Sequence, residues 1–352
     1  MSRKKRKIII ILGVVLIALL FVVPFGLAAM IYEDNFGSRY TSYAPMSRSM
    51  EEFEGLSSQR YTFKSKQGQT LVGYKYYRDL ENVKGLVVIA HGLGGGGHNS
   101  YLDVADLFTS RGYLVFAYDA TGNDESEGDA VRGIPQGLID LDYALRFVKE
   151  TPDFKDLPIM LFGHSWGGYS VGSVLNLHPE VKAVVMVAGF NKSMDIIYEE
   201  GKRIAGDGID ALMPFLTLYE KIKFGKYASY SCIEGFENTD TEVMIIHSAD
   251  DEMISQELSF NLFYEPYNNN PRFHFVKYDD RGHNYVYYSA ASHSYRNEFN
   301  KAFDEYNNSL KEELTAELKT AYFKDHLDKK SLFDLDQELM DSIVTLYDNA
   351  AR

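Results

Sequence analysis

Five runs of consecutive apolar residues punctuate the chain: GLVVIA at 85–90, YLVFAYD at 113–119, PIMLFG at 158–163, AVVMVAG at 183–189 and VMIIHS at 243–248. A weaker sixth, RFHFVKY, lies at 272–278. Runs of this length, rich in Val and Ile, read as strands buried on both faces. Between them, YLDVADLFTSRG, PQGLIDLDYALRFVKET and GGYSVGSVLNLHPE place apolar residues three or four apart, as helices do. Strands alternating with helices predict an α/β fold with a mostly parallel central sheet covered on both faces. Upstream, YTFKSK and TLVGYKYYR alternate on either side of Gln67-Gly68, which predicts an antiparallel hairpin at one edge.

The same pattern divides the chain. Residues 1–7 carry the basic cluster SRKKRK, and residues 8–31 carry no charge. As a helix the latter would span roughly 36 Å, more than the roughly 30 Å hydrocarbon core of a bilayer. This predicts a transmembrane anchor with a cytoplasmic N-terminus and everything after residue 31 outside the cell membrane. A cleaved signal sequence, ending near Gly26-Leu27-Ala28, is the alternative and predicts a secreted domain. Residues 32–60 are polar and weakly periodic, as a linker would be. The main domain is expected over 61–290. Within it, about 190–240 breaks the strand–helix rhythm with a helical stretch, expected as a small cap over the sheet. Residues 291–352 are expected as a helical extension, with Tyr295, Phe299, Phe303, Tyr306, Leu310, Leu314 and Leu318 marking one face.

Composition narrows the function. The 352 residues are 45% hydrophobic and 24% charged, which sustains a globular core. The net charge of −14 argues against a nucleic-acid partner and favours a soluble, monomeric domain. A single cysteine, Cys232, rules out an internal disulfide and a thiolate metal cluster. The nine histidines show no zinc spacing, so no metal or organic cofactor is expected.

Chemistry concentrates at the ends of the predicted strands. PIMLFG runs into Gly163-His164-Ser165-Trp166-Gly167, and a helical pattern follows at once. A G-x-S-x-G sequence between strand and helix is the context in which a serine becomes an exposed nucleophile. Such a serine needs a base, and the base an orienting acid, in the order Ser, Asp or Glu, His. Asp250 and Asp251 follow the strand VMIIHS, and His283 lies in the loop after RFHFVKY. An oxyanion site needs two backbone N–H donors. The candidates are Trp166, next to the serine, and Leu93, in HGLGGGGHNS after GLVVIA. That glycine-rich loop lacks the Lys-Ser/Thr of a phosphate-binding P-loop. His91, His164 and His247 read as structural.

Together these residues resemble the α/β-hydrolase superfamily, and within it bacterial serine hydrolases of the monoglyceride-lipase and S33-aminopeptidase type. Ser165 matches the nucleophile, His283 the general base and His91-Gly92-Leu93 the oxyanion loop. Ser248 through Ile254 is similar to the acid segment G-x-x-D-x-x-V, a register that favours Asp251 over Asp250. DATGNDESEG at 119–128 resembles D-x-R-G-x-G-x-S-x-G, but Thr121 and Asp124 stand in place of Arg and Gly. The resemblance implies cleavage of a carboxylic ester of a small-molecule acyl substrate. Peptide cleavage, acyl transfer and a non-catalytic scaffold are the competing readings. An apolar pocket would favour lipids and an acidic recess a peptide amine.

Overall fold

The continuous apolar runs do become a sheet. In the computed structural model, which describes residues 2–94 and 96–352, eight strands hydrogen-bond into one sheet among the described residues. They are β1 (Ser57–Lys64), β2 (Thr70–Tyr77), β3 (Leu86–Ala90), β4 (Leu114–Tyr118), β5 (Ile159–His164), β6 (Ala183–Val187), β7 (Glu242–Ser248) and β8 (Phe273–Tyr278). The spatial order is β1-β2-β4-β3-β5-β6-β7-β8. The β1–β2 hairpin joins β4 antiparallel, and every pairing from β4 to β8 is parallel. The chain runs outward from β3 to β4 and then returns to lay β5 on the other side of β3. Ligands of open α/β sheets bind at such a reversal, outside the carboxyl ends of the strands.

Alternation along each strand feeds two cores. Leu86, Val88 and Leu161 face one layer, whereas Val87, Ile89 and Phe162 face the other. The helices, in chain order, are α1 (Arg3–Ile17), α2 (Val23–Phe36), α3 (Leu102–Ser110), α4 (Ile134–Glu150), α5 (Trp166–Ser173), α6 (Ser193–Ala205), α7 (Ile209–Phe224), α8 (Cys232–Glu237), α9 (Phe260–Tyr267), α10 (Ala290–Ser309), α11 (Ala316–His326), α12 (Lys329–Leu332) and α13 (Gln337–Ala350). Helices α4, α5 and α8 pack into the first core, and α3 and α13 into the second.

Three expectations change. Residues 291–352 do not simply extend the domain: α13 buries Leu339, Met340, Ile343 and Tyr347 on the sheet, and Tyr347 Oη donates to the Leu161 carbonyl at 2.8 Å. Nor is the expected face of the tail continuous. Helix α10 ends at Ser309, and Thr315 caps a new helix by accepting from Leu318 N–H. Leu310, Leu314 and Leu318 therefore leave the row of Phe299, Phe303 and Tyr306, whose rings meet Phe323 and Tyr322 on the returning α11. Residues 37–56, expected as linker, are seated on the domain. Arg39 donates to the Ser126 and Gly128 carbonyls, Ser42 to the Asp124 carboxylate, and Arg48 to Asp103. Polar, aperiodic chain is held there by loop carbonyls and carboxylates instead of by strand pairing.

At the N-terminus one helix runs over Arg3–Phe36, and an 18-residue stretch of it reaches a mean hydropathy of 3.3, long and apolar enough to cross a membrane. Ile9, Leu12, Leu19, Phe21 and Val22 each leave more than half of their surface exposed. Its end is different. Ala28 and Tyr32 are buried, and Tyr32 Oη donates to Glu220 Oε2 of α7 at 2.8 Å. Ser193 Oγ donates to the same oxygen at 2.6 Å. Burial pushes the Glu220 carboxyl up from its ordinary 4.5 to about 7, against the pull of the two hydroxyls. An acid whose folded value is raised stabilises the fold fully below its unfolded value, and that stability is lost as pH rises through the folded one. The thermal stability of the full chain should therefore fall between about pH 4.5 and pH 7. Glu220→Gln, which keeps a neutral acceptor for Tyr32, should flatten that fall; an unchanged pH profile would assign it to other groups.

Candidate active site

The strand β5 delivers Ser165 to the carboxyl edge of the sheet, and α5 begins at the next residue. Ser165 takes φ 56° and ψ −117°, a conformation that residues with a Cβ avoid. Its backbone N–H donates to the Val187 carbonyl at 2.8 Å, which ties the turn to β6. The turn closes so tightly that a Cβ on Gly167 would lie 2.0 Å from the Ala90 carbonyl oxygen. Glycine there is a condition of the turn.

The loops after β7 and β8 meet this serine. His283 Nε2 lies 2.8 Å from Ser165 Oγ, and His283 Nδ1 lies 2.9 and 3.0 Å from the two Asp251 oxygens. Of the two adjacent acids, the structure brings Asp251 to the imidazole. Asp250 instead accepts from Ser248 Oγ at 2.6 Å and Gly282 N–H at 2.8 Å, holding the loop that carries His283. Burial pushes the Asp251 carboxyl up, but hydrogen bonds from His283 and from the Met253 and Ile254 N–H groups outweigh it and hold it below the usual carboxylate range.

The other expected residues line the same space. Leu93 and Trp166 both border a cavity of about 910 Å³ that contains Ser165 and His283. Among the described residues, neither backbone N–H has a hydrogen-bond acceptor, and Trp166 N–H belongs to the first turn of α5, where donors are free. The Trp166 indole donates to the Ile134 carbonyl at 2.7 Å and floors the cavity. Leu216 of α7 lines it too, whereas Met213, Phe215 and Tyr219 of the same helix pack elsewhere.

Of the three histidines read as structural, two hold loops through their rings. His91 Nε2 accepts the Ala120 N–H at 2.9 Å, so its proton sits on Nδ1, 2.7 Å from the Gly92 carbonyl. His164 Nε2 faces the His283 carbonyl at 3.0 Å. Burial, and then the neighbouring His283, push His164 down to about 3, so it remains neutral. His247 is fully buried 3.8 Å from Asp251, and its ring nitrogens have no partner among the described residues. His98, Asp119 and Glu125 bring donor atoms within 4.8 Å of one another, as a metal site would. Yet Asp119 already accepts from His98 Nδ1 and from the His98 and Glu125 N–H groups, and Arg60 and Tyr74 hold Glu125. These bonds clamp the 119–128 loop. Asp124, where the resembling pattern has glycine, adopts φ 35° and binds Ser42 and Gly97 N–H.

Sequence reasoning missed much of the cavity wall. Ile31, Tyr32, Asn35 and Phe36 come from α2, and Tyr285, Tyr287, Tyr288 and Phe333 from the C-terminal part. Hydropathy had placed the first group in a span and linker, and no local motif marks the second. Tyr101 was also missed: its hydroxyl accepts from Gly92 N–H at 3.0 Å and lies 3.3 Å from His164 Nδ1.

A family model described as serine aminopeptidase, S33, matches residues 81–265. The monoglyceride lipase homolog of Monkeypox virus is 32% identical over 94 residues, covering 26% of this chain and 33% of that protein. Monoglyceride lipase of Homo sapiens is 30% identical over 95 residues, 27% of this chain and 31% of the relative. The match thus spans about a third of the length of these curated relatives. An esterase structure from Pyrococcus furiosus superposes with a TM-score of 0.52 at 16% identity, over 74% of this chain and 95% of that one. The shared architecture is the α/β-hydrolase fold.

The steric demand at the turn has a measurable consequence. Gly167→Ala should cost about 1–3 kcal/mol through overpacking, read as a lowered urea midpoint, and should displace Ser165 enough to slow its reaction with a fluorophosphonate. A variant of wild-type stability and reactivity would show that the turn has room to spare.

Proposed function

We propose, for a chain that belongs to the serine aminopeptidase S33 family, that it hydrolyses carboxylic esters through an acyl-enzyme on Ser165. The observation that carries this reading is the continuous line of contacts from Ser165 Oγ through His283 to Asp251, at 2.8 and 2.9 Å, opening into one large cavity. Ser165 Oγ attacks the acyl carbonyl as His283 Nε2 takes its proton. Asp251, kept ionised by its donors, fixes the proton on His283 Nδ1 and stabilises the imidazolium that forms. Leu93 and Trp166 N–H groups receive the oxyanion. His283 then gives its proton to the leaving alcohol, and a water activated by the same nitrogen releases the acid and frees Ser165.

The cavity favours an ester over a peptide. Aminopeptidase chemistry needs an anionic recess for the substrate's terminal ammonium. Among the described residues lining the cavity, Glu200 is the one carboxylate, and Arg203 pairs with it at 2.9 Å. Most of the remaining wall is aliphatic or aromatic, which suits an acyl chain. The apolar helix over Arg3–Phe36, preceded by basic residues, anchors the domain at the outer face of the cell membrane in this reading.

Ser165→Ala should lose fluorophosphonate labelling and p-nitrophenyl ester turnover with thermal unfolding unchanged, and Asp251→Asn should lower kcat by about 10⁴. Persistent turnover in the serine variant would remove the proposal. Faster cleavage of aminoacyl arylamides than of esters by the wild type would replace it with the peptidase reading.

A further inference from the structure

The end of the N-terminal helix does more than lead into the domain. Ile31, Tyr32, Asn35 and Phe36 line the same cavity as Ser165 and His283. The helix is fixed there by contacts of several kinds. Tyr32 reaches the buried Glu220, and Glu33 accepts from Tyr219 at 2.5 Å and pairs with Lys223. The Phe36 carbonyl accepts from Arg132 N–H at 3.0 Å. The domain is shaped to admit it: a Cβ on Gly133 would lie 2.2 Å from the Tyr32 hydroxyl oxygen.

Depth matters as much as contact. The apolar run ends at Ile31, and Ile31 to Phe36 covers only about 7.5 Å of helix. The cavity wall therefore lies where the helix would leave the hydrocarbon. The cap reaches that level too, because Tyr219 of α7 meets the ring of Phe25, within the uncharged segment, at 6.0 Å. Around this junction apolar side chains stand open. Ile204 and Met253, which line the cavity, are 80% and 46% exposed, and Leu218 and Ile222 of α7 are 49% and 66% exposed. Water does not favour such a rim, but the acyl boundary of a bilayer does.

We propose that the last turns of this helix are a working wall of the acyl site, so that the long acyl chain of an ester resident in the membrane enters between α2 and the cap helix α6. This inference rests on the serine-hydrolase and membrane-anchor reading above. Chain-length selectivity then depends on a residue of the anchor itself, Ile31, as well as on the cap.

The test uses the full chain in phosphatidylcholine nanodiscs, with p-nitrophenyl butyrate and p-nitrophenyl palmitate as probes. Ile31→Trp, which fills the wall, should lower the palmitate-to-butyrate ratio of kcat/KM at least tenfold. Leu27→Trp, one turn earlier and outside the cavity, should leave both rates within twofold. Ile204→Asp places charge on a side chain too exposed to matter for folding, and should lower the same ratio at least fivefold. Wild-type ratios in both Ile31→Trp and Ile204→Asp would overturn the inference, as would an equal effect of Leu27→Trp. Fluorophosphonate labelling separates the two readings. A wild type that labels and cleaves butyrate, with variants that keep its ratio, sinks the wall alone. A wild type inert to the probe and to both esters sinks the hydrolase reading beneath it.

Discussion

Ser165 is held in a backbone conformation that its own side chain disfavours, and the rest of the site is arranged around that constraint. Strain of this kind costs on the order of 1–3 kcal/mol and persists only where neighbouring structure over-determines it. Here β5 pairs on both sides with parallel strands, Ser165 N–H is bound to β6, and the Gly167 backbone lies against the end of β3. The turn cannot relax without moving three strands. In return the Oγ stands clear of the sheet at the reversal of strand order, beside the free N–H groups of the first turn of α5.

A second layer of hydrogen bonds ties together the loops from β3, β5 and β8. Gly92 N–H donates to Tyr101 Oη, which sits 3.3 Å from His164 Nδ1, and His164 Nε2 faces the His283 carbonyl. The direction is fixed at the far end: a carbonyl accepts, so His164 carries its proton on Nε2 and receives the tyrosine hydroxyl on Nδ1. A charged His164 would break that pattern, and burial keeps it neutral. His283 is thus positioned through its own carbonyl as well as through Asp251. The loop after β3 is registered to Ser165 by the same chain.

What the sequence disclosed follows from the range of the forces involved. Strands buried on both faces must be apolar throughout, so β3 to β7 announce themselves locally. Ser165, Asp251 and His283 could be picked out in that order because each follows the end of an apolar run that becomes a strand. The choice between Asp250 and Asp251 needed a family register, since adjacent carboxylates look alike until one meets an imidazole. Hidden were the contacts that join distant segments through isolated side chains. Nothing near Tyr32 foretells Glu220, and nothing near Tyr101 foretells Gly92. The seating of residues 37–56 was invisible for the same reason: its partners are carbonyls and carboxylates of loops, which leave no period. The tail misled because Thr315 caps a new helix while the leucine spacing runs on across the break.

The position of α2 also changes how binding energy is to be counted. A chain moving from water into an apolar cavity gains roughly 0.8 kcal/mol per methylene. A chain moving from hydrocarbon into the same cavity exchanges one apolar medium for another and gains little of that. Under the proposed route, affinity for the acyl chain has to come from shape and from the ester end. A wall continuous with the anchor suits this, because the chain never crosses water between bilayer and serine. It also explains why polar groups at that junction are spent on holding the helix: Tyr32, Glu33, Ser193 and Lys223 are all engaged with one another or with Glu220 and Tyr219. A wall that drifted from the cap would open the cavity to solvent at the point where the substrate enters, and the chain would then have to be held in water.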